Sequence, residues 1–364
     1  MDAKLLPDRS LRLSGTRLFI ALALILTGVS LALDAVAGRT LTQSFSLTLP
    51  LLVCALASAG SGFLTIPMLR SLKAGQVIRE DGPQAHLKKA GTPTMGGIFF
   101  IPVAATVAML WSGFASNVVA VALLTLVYGA IGLLDDWQII RYKSNKGISP
   151  RTKLALQIGA AVLFCGWMLV TQSASITTIA LPFGMALPLG FLFWGLAGFT
   201  LVAESNATNL TDGLDGLAAG TAAIAFLGLA ALIAPTSPEL MLFCACMSGS
   251  CLGFLVHNRN PARVFMGDTG SLALGGGLAA VALVSNSLFG LLILSGLFLW
   301  ETVSVIIQVS YFKATKGPDG IGKRFFRMSP FHNHLVLEGW SEPNIVTLFY
   351  ILGGLLAFLA LAID

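Results

Sequence analysis

Charge is what this chain has least of. Only 11% of its 364 residues are Asp, Glu, Lys or Arg, against roughly 25% in an ordinary soluble domain, and that scarcity excludes a water-soluble fold. Histidine is limited to four residues and cysteine to five. The cysteines (Cys54, Cys165, Cys244, Cys246 and Cys251) all lie inside apolar runs with no metal-ligand spacing to histidine, so neither disulfides nor a zinc site is expected. Internal repeats, low-complexity stretches and long linkers are missing as well. What fills the sequence is apolar: 55% hydrophobic residues and a mean hydropathy of +0.84, gathered into runs of about 18 to 25 residues. The 39 glycines suit close helix contacts in lipid and tight loops between helices. The fold class is therefore all-α, a polytopic helical membrane protein.

The runs predict eleven spans, near 17–36, 47–69, 96–113, 117–134, 153–171, 186–203, 216–234, 239–256, 271–285, 288–312 and 343–363. The first lacks a small-x-small cleavage site before the polar stretch 37–46 and reads as a real helix, not a signal peptide. The run at 271–285 is the shortest, and Gly275-Gly276-Gly277 blurs its boundary. Lys and Arg are retained on the cytoplasmic side of a spanning helix. With the N-terminus inside, 21 of the 22 Lys and Arg fall on that face, and only Arg39 does not. The chemistry is therefore expected on the inner face. The pI near 9.0 then reflects topology and lipid headgroups rather than nucleic acid, which is not expected as a partner; the bilayer is.

Acidic residues at membrane depth are not demanded by topology. Five sit at the predicted inner ends of spans: Asp135 and Asp136 in GLLDDWQ, Asp212 and Asp215 in NATNLTDGLDGLAAG, and Asp268 in VFMGDTGSL. Each alone could be a helix cap, Asp212 or Asp215 for the span from Leu217 and Asp268 for the span from Ser271. Five together at a low-dielectric edge repel one another unless a cation compensates, and hard oxygen ligands beside phosphates point to magnesium. Asp212 and Asp215 share a face if a helix begins there; the adjacent Asp135 and Asp136 cannot. Asn206, Asn209 and Thr211 add neutral hydrogen-bonding groups that could orient a sugar or phosphate, or simply build a turn.

The same face supplies groups for an anion. Lys73, Arg79, Lys88 and Lys89 precede a Gly-Thr-Pro-Thr turn, and Ser149-Pro150 opens a span with a cap and a proline that leave amide donors free. Lys323, Arg324 and Arg327 lead into His332-Asn333-His334, whose imidazoles are better suited to donate to a diphosphate than to bind a metal. Phe265 could stack on a planar base or sit as an interfacial aromatic. Glu301, inside the run 288–312 and on one face with Gln308, is expensive in lipid and is expected to be bonded to a neighbouring helix, with no other ionisable group deep enough to make a relay.

Taken in order, HLKKAGTPTMGG, GLLDDW, NATNLTDGLDGLAAG, PARVFMGDTGSL, ETVSVIIQ and FRMSPFHNHLVLEGW resemble the polyprenyl-phosphate phospho-sugar transferase superfamily. GTPTMGG and SPFHNH resemble its phospho-N-acetylmuramoyl-pentapeptide-transferase branch. The resemblance runs from about Leu51 to the C-terminus. It implies ten core helices, so that residues 1–46 are an N-terminal extension with one additional helix and 47–364 the transferase domain. It also implies a bacterial plasma (inner) membrane location with the active site on the cytoplasmic face, and Mg2+ as cofactor. UDP-MurNAc-pentapeptide and undecaprenyl phosphate are the implied substrates, lipid I and UMP the products.

By matching motif, Asp268 would be the metal ligand, and Asp135 and Asp136 the acidic pair acting on the lipid phosphate. Asn206 and Asp212 would contact the nucleotide, Phe265 would stack on uracil, and His332 would be a catalytic-loop histidine. Lys73, Lys153 and Asn209 match basic or polar positions, and Asp215 and His334 complete the expected substrate-binding set. Three departures stand out: Asn333 interrupts the family's three histidines, Ile139 replaces a lysine for which Arg141 or Lys143 would have to substitute, and the helix at 17–36 is extra. Alternatives are a phospho-N-acetylhexosamine transferase of the same superfamily and, from the span number and Glu301, a transporter or flippase. Direct attack by the lipid phosphate is the expected route, with an aspartyl-phosphate intermediate on Asp136 as its rival. Oligomeric state is not readable from the motifs, and a homodimer stays open.

Overall fold

A computed structural model describes residues 14–41, 43, 45–72, 89, 91–142 and 147–363. The expectations placed on Lys73, Arg79, Lys88 and Lys143 fall outside the described residues. The described residues form thirteen α-helices: α1 (Gly15–Val36), α2 (Thr48–Ser71), α3 (Gly97–Trp111), α4 (Ser116–Tyr142), α5 (Pro150–Thr171), α6 (Leu192–Thr211), α7 (Leu217–Ile233), α8 (Pro238–Asn258), α9 (Gly267–Val284), α10 (Leu288–Leu294), α11 (Gly296–Ala314), α12 (Phe331–Leu337) and α13 (Glu342–Ile363). Each of the eleven apolar runs contains a helix or, at 288–312, the pair α10 and α11, which bend by 68° at Ser295.

Among the described residues seven helices are long and apolar enough to cross a membrane, eight if the bent pair is one span; α3 and α7 are shorter, at 15 and 17 residues. Between α5 and α6 the chain also makes a small antiparallel hairpin, β1 (Thr178–Ala180) with β2 (Ala186–Pro188). The span expected from 186 therefore starts only at Leu192, because Pro188 and Gly190, the latter at φ +53°, keep the chain out of a helix.

Three of the described helices carry the interior, α7 being buried at every residue but Ala231. Residues 240–255 of α8 are buried throughout, as are 269–284 of α9, the pattern of helices that are apolar all round. Helix α9 packs chiefly on α4 and α6, and α8 on α2 and α7. The glycine triplet does not interrupt α9 but lets it be approached: a Cβ at Gly276 would lie 2.9 Å from the Tyr128 ring of α4. The outer surfaces of the peripheral helices are apolar, as with Leu163 of α5, 77% exposed, which suits contact with lipid tails. The first helix is fastened to this bundle by Asp34. Its buried carboxylate accepts from the backbone N–H groups of Leu47 and Thr48 and from the hydroxyls of Ser46 and Thr48, so it caps α2 from outside.

Candidate active site

Helices α4 and α6 run further than their apolar stretches, and this brings polar side chains to one end of the bundle. On α6, Thr208 and Thr211 bond to the carbonyls of Glu204 and Ala207, and Asn206 to that of Val202, four residues back. Polar residues that would build a turn in water thus stay helical, with their polar groups satisfied along the helix. The C-terminal ends of α4 and α6 meet the N-terminal ends of α5 and α9.

Asp136 spans the junction of α4 with α9. Its carboxylate, 4% exposed, accepts from Asp268 N at 3.1 Å, Thr269 N at 3.0 Å and the Thr269 hydroxyl at 2.7 Å. It thereby fills two of the amide donors that a helix N-terminus leaves open, with the charge sign that the helix dipole favours. Gly132, one turn earlier, allows the contact, because any side chain there would overlap the Asp268 carbonyl. Asp268 lies in the first turn of α9, which begins at Gly267, so it does not cap a helix from Ser271. One of its oxygens pairs with Lys153 Nζ on α5 and the other accepts from Asn209 Nδ2 on α6 at 2.8 Å. Asp135 accepts from Ile148 N at 2.8 Å and sets its carboxyl beside that of Asp268. Ser149 caps α5 by accepting from Thr152 N at 3.1 Å.

Asp212 and Asp215 do not share a helix face, because α6 ends at Thr211 and α7 starts only after Gly216, at φ +83°. Neither caps α7. Asp212 lies within the field of Asp268 and Asp136. Burial, reinforced by the carboxylates of Asp268, Asp136 and Asp215 and opposed by Lys89, pushes it up to about 8. Asp215 points away into an ion cluster: Lys89 bridges it and Glu342 at 2.7 Å each, and Asn260 and Ala262 N complete its bonds. Asn206 donates to Gln157 at 3.0 Å. Phe265 is half-buried, its backbone laced to the Gly-Thr-Pro-Thr turn through Pro93 O and Gly96 N. Arg141 lies against the Tyr142 ring.

The two loop histidines separate. His332 is buried, with Nδ1 3.0 Å from Glu301 Oε2, whereas His334 accepts from Arg327 N through Nδ1. Glu301 thus has an ionisable partner after all, supplied by α12, which corrects the expectation that no other ionisable group lies near it. Between the histidines, Asn333 has its Oδ1 buried with no partner among the described residues.

One functional candidate and one partnership escaped the sequence. Gln157, which joins Asn206 and Ser205, stands four residues after Lys153 on the same helix face, and that spacing could have found it. The Glu301 partnership left no local signal, because its members lie 31 residues apart.

Among the described residues no three His, Cys, Asp or Glu side chains converge into a metal cage. Magnesium, however, is commonly held by one or two carboxylates together with substrate phosphates. Asp268, with Asp135 beside it and Lys153 as the local countercharge, fits such a partial donor set, which a phosphate ligand would complete.

Known proteins are similar over this whole architecture. The model of glycosyl transferase family 4 matches residues 118–286, and signature 1 of the phospho-N-acetylmuramoyl-pentapeptide-transferases matches residues 89–101. A protein of that name from Nostoc sp. is 66% identical over 364 residues, covering 100% of this chain and 99% of the relative. One from Nostoc punctiforme is 66% identical with complete coverage of both, and one from Rippkaea orientalis is 60% identical over 99% of each.

Proposed function

Because the chain belongs to the phospho-N-acetylmuramoyl-pentapeptide-transferase family, we propose that its cleft moves phospho-MurNAc-pentapeptide from UDP-MurNAc-pentapeptide to undecaprenyl phosphate, giving lipid I and UMP. The observation that carries this reading is the convergence of Asp135, Asp136, Asp212 and Asp268 with Lys153 and Asn209 from four separate helix ends. Transfer between a lipid phosphate and a nucleotide diphosphate is opposed by charge repulsion, so acids and bases must be interleaved where the two anions meet.

Asp268, oriented by Asn209, would hold Mg2+, which when bound supplies charge neutralisation at the diphosphate. Lys153 pairs with Asp268 and is placed to turn to a phosphate oxygen. Of the acidic pair, Asp135 is the proton acceptor for the lipid phosphate. Asp136 already has both oxygens engaged by α9, which also counts against its serving as a covalent nucleophile. Both points favour direct attack by the lipid phosphate.

A mostly apolar cavity of about 290 Å³, lined by Phe199 and Ala203 of α6 and by Leu292, Ser295 and Leu299 around the bend, suits part of a prenyl chain. Asn206 and Asn209 follow on the same helix, so one lipid could lie along α6 with its phosphate at Asp268. The positive-inside asymmetry supports a cytoplasmic position for this end of the bundle, at the plasma membrane.

The test is UMP release by purified protein given undecaprenyl phosphate with either UDP-MurNAc-pentapeptide or a UDP-N-acetylhexosamine. Release from the muramoyl nucleotide is expected. Release from the hexosamine nucleotide alone would replace the substrate, and release from neither would overturn the reading. UMP exchange into the nucleotide without lipid would replace direct attack by the covalent route.

A further inference from the structure

We propose that Glu301 is a positioning residue for this reaction: its carboxyl group fixes the His332 ring so that Nε2, rather than Nδ1, faces the turn at Asp212–Gly213. The inference rests on the transferase reading above and names a residue that the carboxylate cleft does not contain.

Both members of the pair are withdrawn from solvent, Glu301 at 0% and His332 at 1% exposure. The carboxyl group makes two contacts with one residue. Its Oε1 accepts from the backbone N–H of His332 at 3.2 Å, and its Oε2 lies 3.0 Å from the ring Nδ1. Backbone and ring are thus held together, and the ring cannot rotate without losing one of two bonds that no water would replace. The opposite corner of the imidazole rests on Gly213, where any Cβ would overlap Nε2. Among the described residues Nε2 makes no hydrogen bond. The glycine therefore leaves room for this nitrogen against the turn that follows Asp212. With Nδ1–H donating to Glu301, Nε2 carries a lone pair in the neutral ring and a donor in the charged one.

Helix α12 does not depend on this bond alone. Phe331 packs edge-to-face on Trp300 of α11 at 5.5 Å and on Phe326 at 5.8 Å, so the segment has an apolar anchor that survives a change at Glu301. The substitution Glu301→Gln keeps the shape and inverts the chemistry. If the amide oxygen stays on the backbone N–H of His332, its NH2 group faces Nδ1, and the ring proton must move to Nε2.

Selective 15N-histidine labelling reads this directly in detergent-solubilised full-length protein at a pH where the ring is neutral. Free neutral histidine favours the Nε2–H form. Wild-type His332 is expected in the Nδ1–H form and Glu301→Gln in the Nε2–H form, with thermal melting confirming that both are folded. In the UMP-release assay Glu301→Gln should lower kcat about 10- to 100-fold, the range for losing a group that orients a functional histidine, with KM for the nucleotide changed less than about threefold. Glu301→Gln/His332→Ala should be no slower than His332→Ala, because a positioning residue has nothing left to position.

An Nε2–H tautomer in the wild type, an unchanged kcat, or additive losses in the double variant would each overturn the proposal. A wild-type protein that releases no UMP from any nucleotide but carries the Nδ1–H tautomer would sink the transferase reading while leaving the Glu301–His332 arrangement standing.

Discussion

The two walls of the cleft are built by opposite means. Where α4 meets α9, backbones touch: Gly132 lies on the Asp268 carbonyl, and Asp136 is filled by three donors from the start of α9. Where α11 meets α12, a seven-residue helix is held to a span by the Glu301–His332 pair and aromatic edges. The first wall is set by close packing, which tolerates almost no added volume; the second is set by side-chain bonds, which a one-atom change can re-aim. Damage to the first should therefore appear as lost stability together with lost activity, and damage to the second as lost turnover in a folded protein.

The strongest test of this contrast is Asp268→Asn, expected to lower UMP release by about 10³-fold or more, since it removes the charge that would hold a metal against the diphosphate. Next comes the acidic pair. Asp135→Asn should cost about 10²- to 10⁴-fold in kcat, the usual worth of a proton acceptor, with little change in melting. Asp136→Asn should also destabilise by about 1–3 kcal/mol, because an amide cannot satisfy all three donors. Equal melting temperatures for the two would break the distinction drawn between them.

A third comparison sets glycine against glycine. Gly132→Ala should destabilise by about 1–3 kcal/mol through backbone overlap. Gly213→Ala, whose nearest neighbours are atoms of the His332 ring, should act mainly on kcat in the same assay. Thermal melting beside UMP release separates the two outcomes.

The smallest effect is on pH. Asp212 is raised from its ordinary 3.8 to about 8, so the folded metal-free protein keeps a proton that the unfolded chain releases. Stability is then full below about pH 4, falls as pH rises toward 8, and levels off beyond. Asp212→Asn should match the wild type near pH 4 and melt higher near pH 8, and adding Mg2+ should narrow the gap. A pH-independent difference would contradict the assignment.

Much of this architecture was legible in the sequence because lipid imposes it: each apolar run contains a helix, and the carboxylates of GLLDDW, NLTDG and GDTG do come together. What escaped depends on contacts between distant residues. The run 288–312 reads as one uninterrupted span, yet it bends at Ser295, whose hydroxyl bonds Glu204 of α6 at 2.6 Å. Asn206 and Thr211 look like loop residues because their type favours turns, and they are helical because their side chains bond back along α6. Asp212 and Asp215 look equivalent, and only the left-handed Gly216 and the Lys89 bridge explain why one faces the cleft and the other an ion cluster. The histidine motif could be recognised, but not that His332 turns inward to Glu301 while His334 stays with its own loop.

The central claim is most directly tested by Mn2+, standing in for Mg2+, titrated against the protein with UDP-MurNAc-pentapeptide and followed by electron paramagnetic resonance. The account predicts tight, nucleotide-dependent binding of one ion by the wild type, weakened at least about tenfold in Asp268→Asn. Equal binding by the two proteins would contradict it.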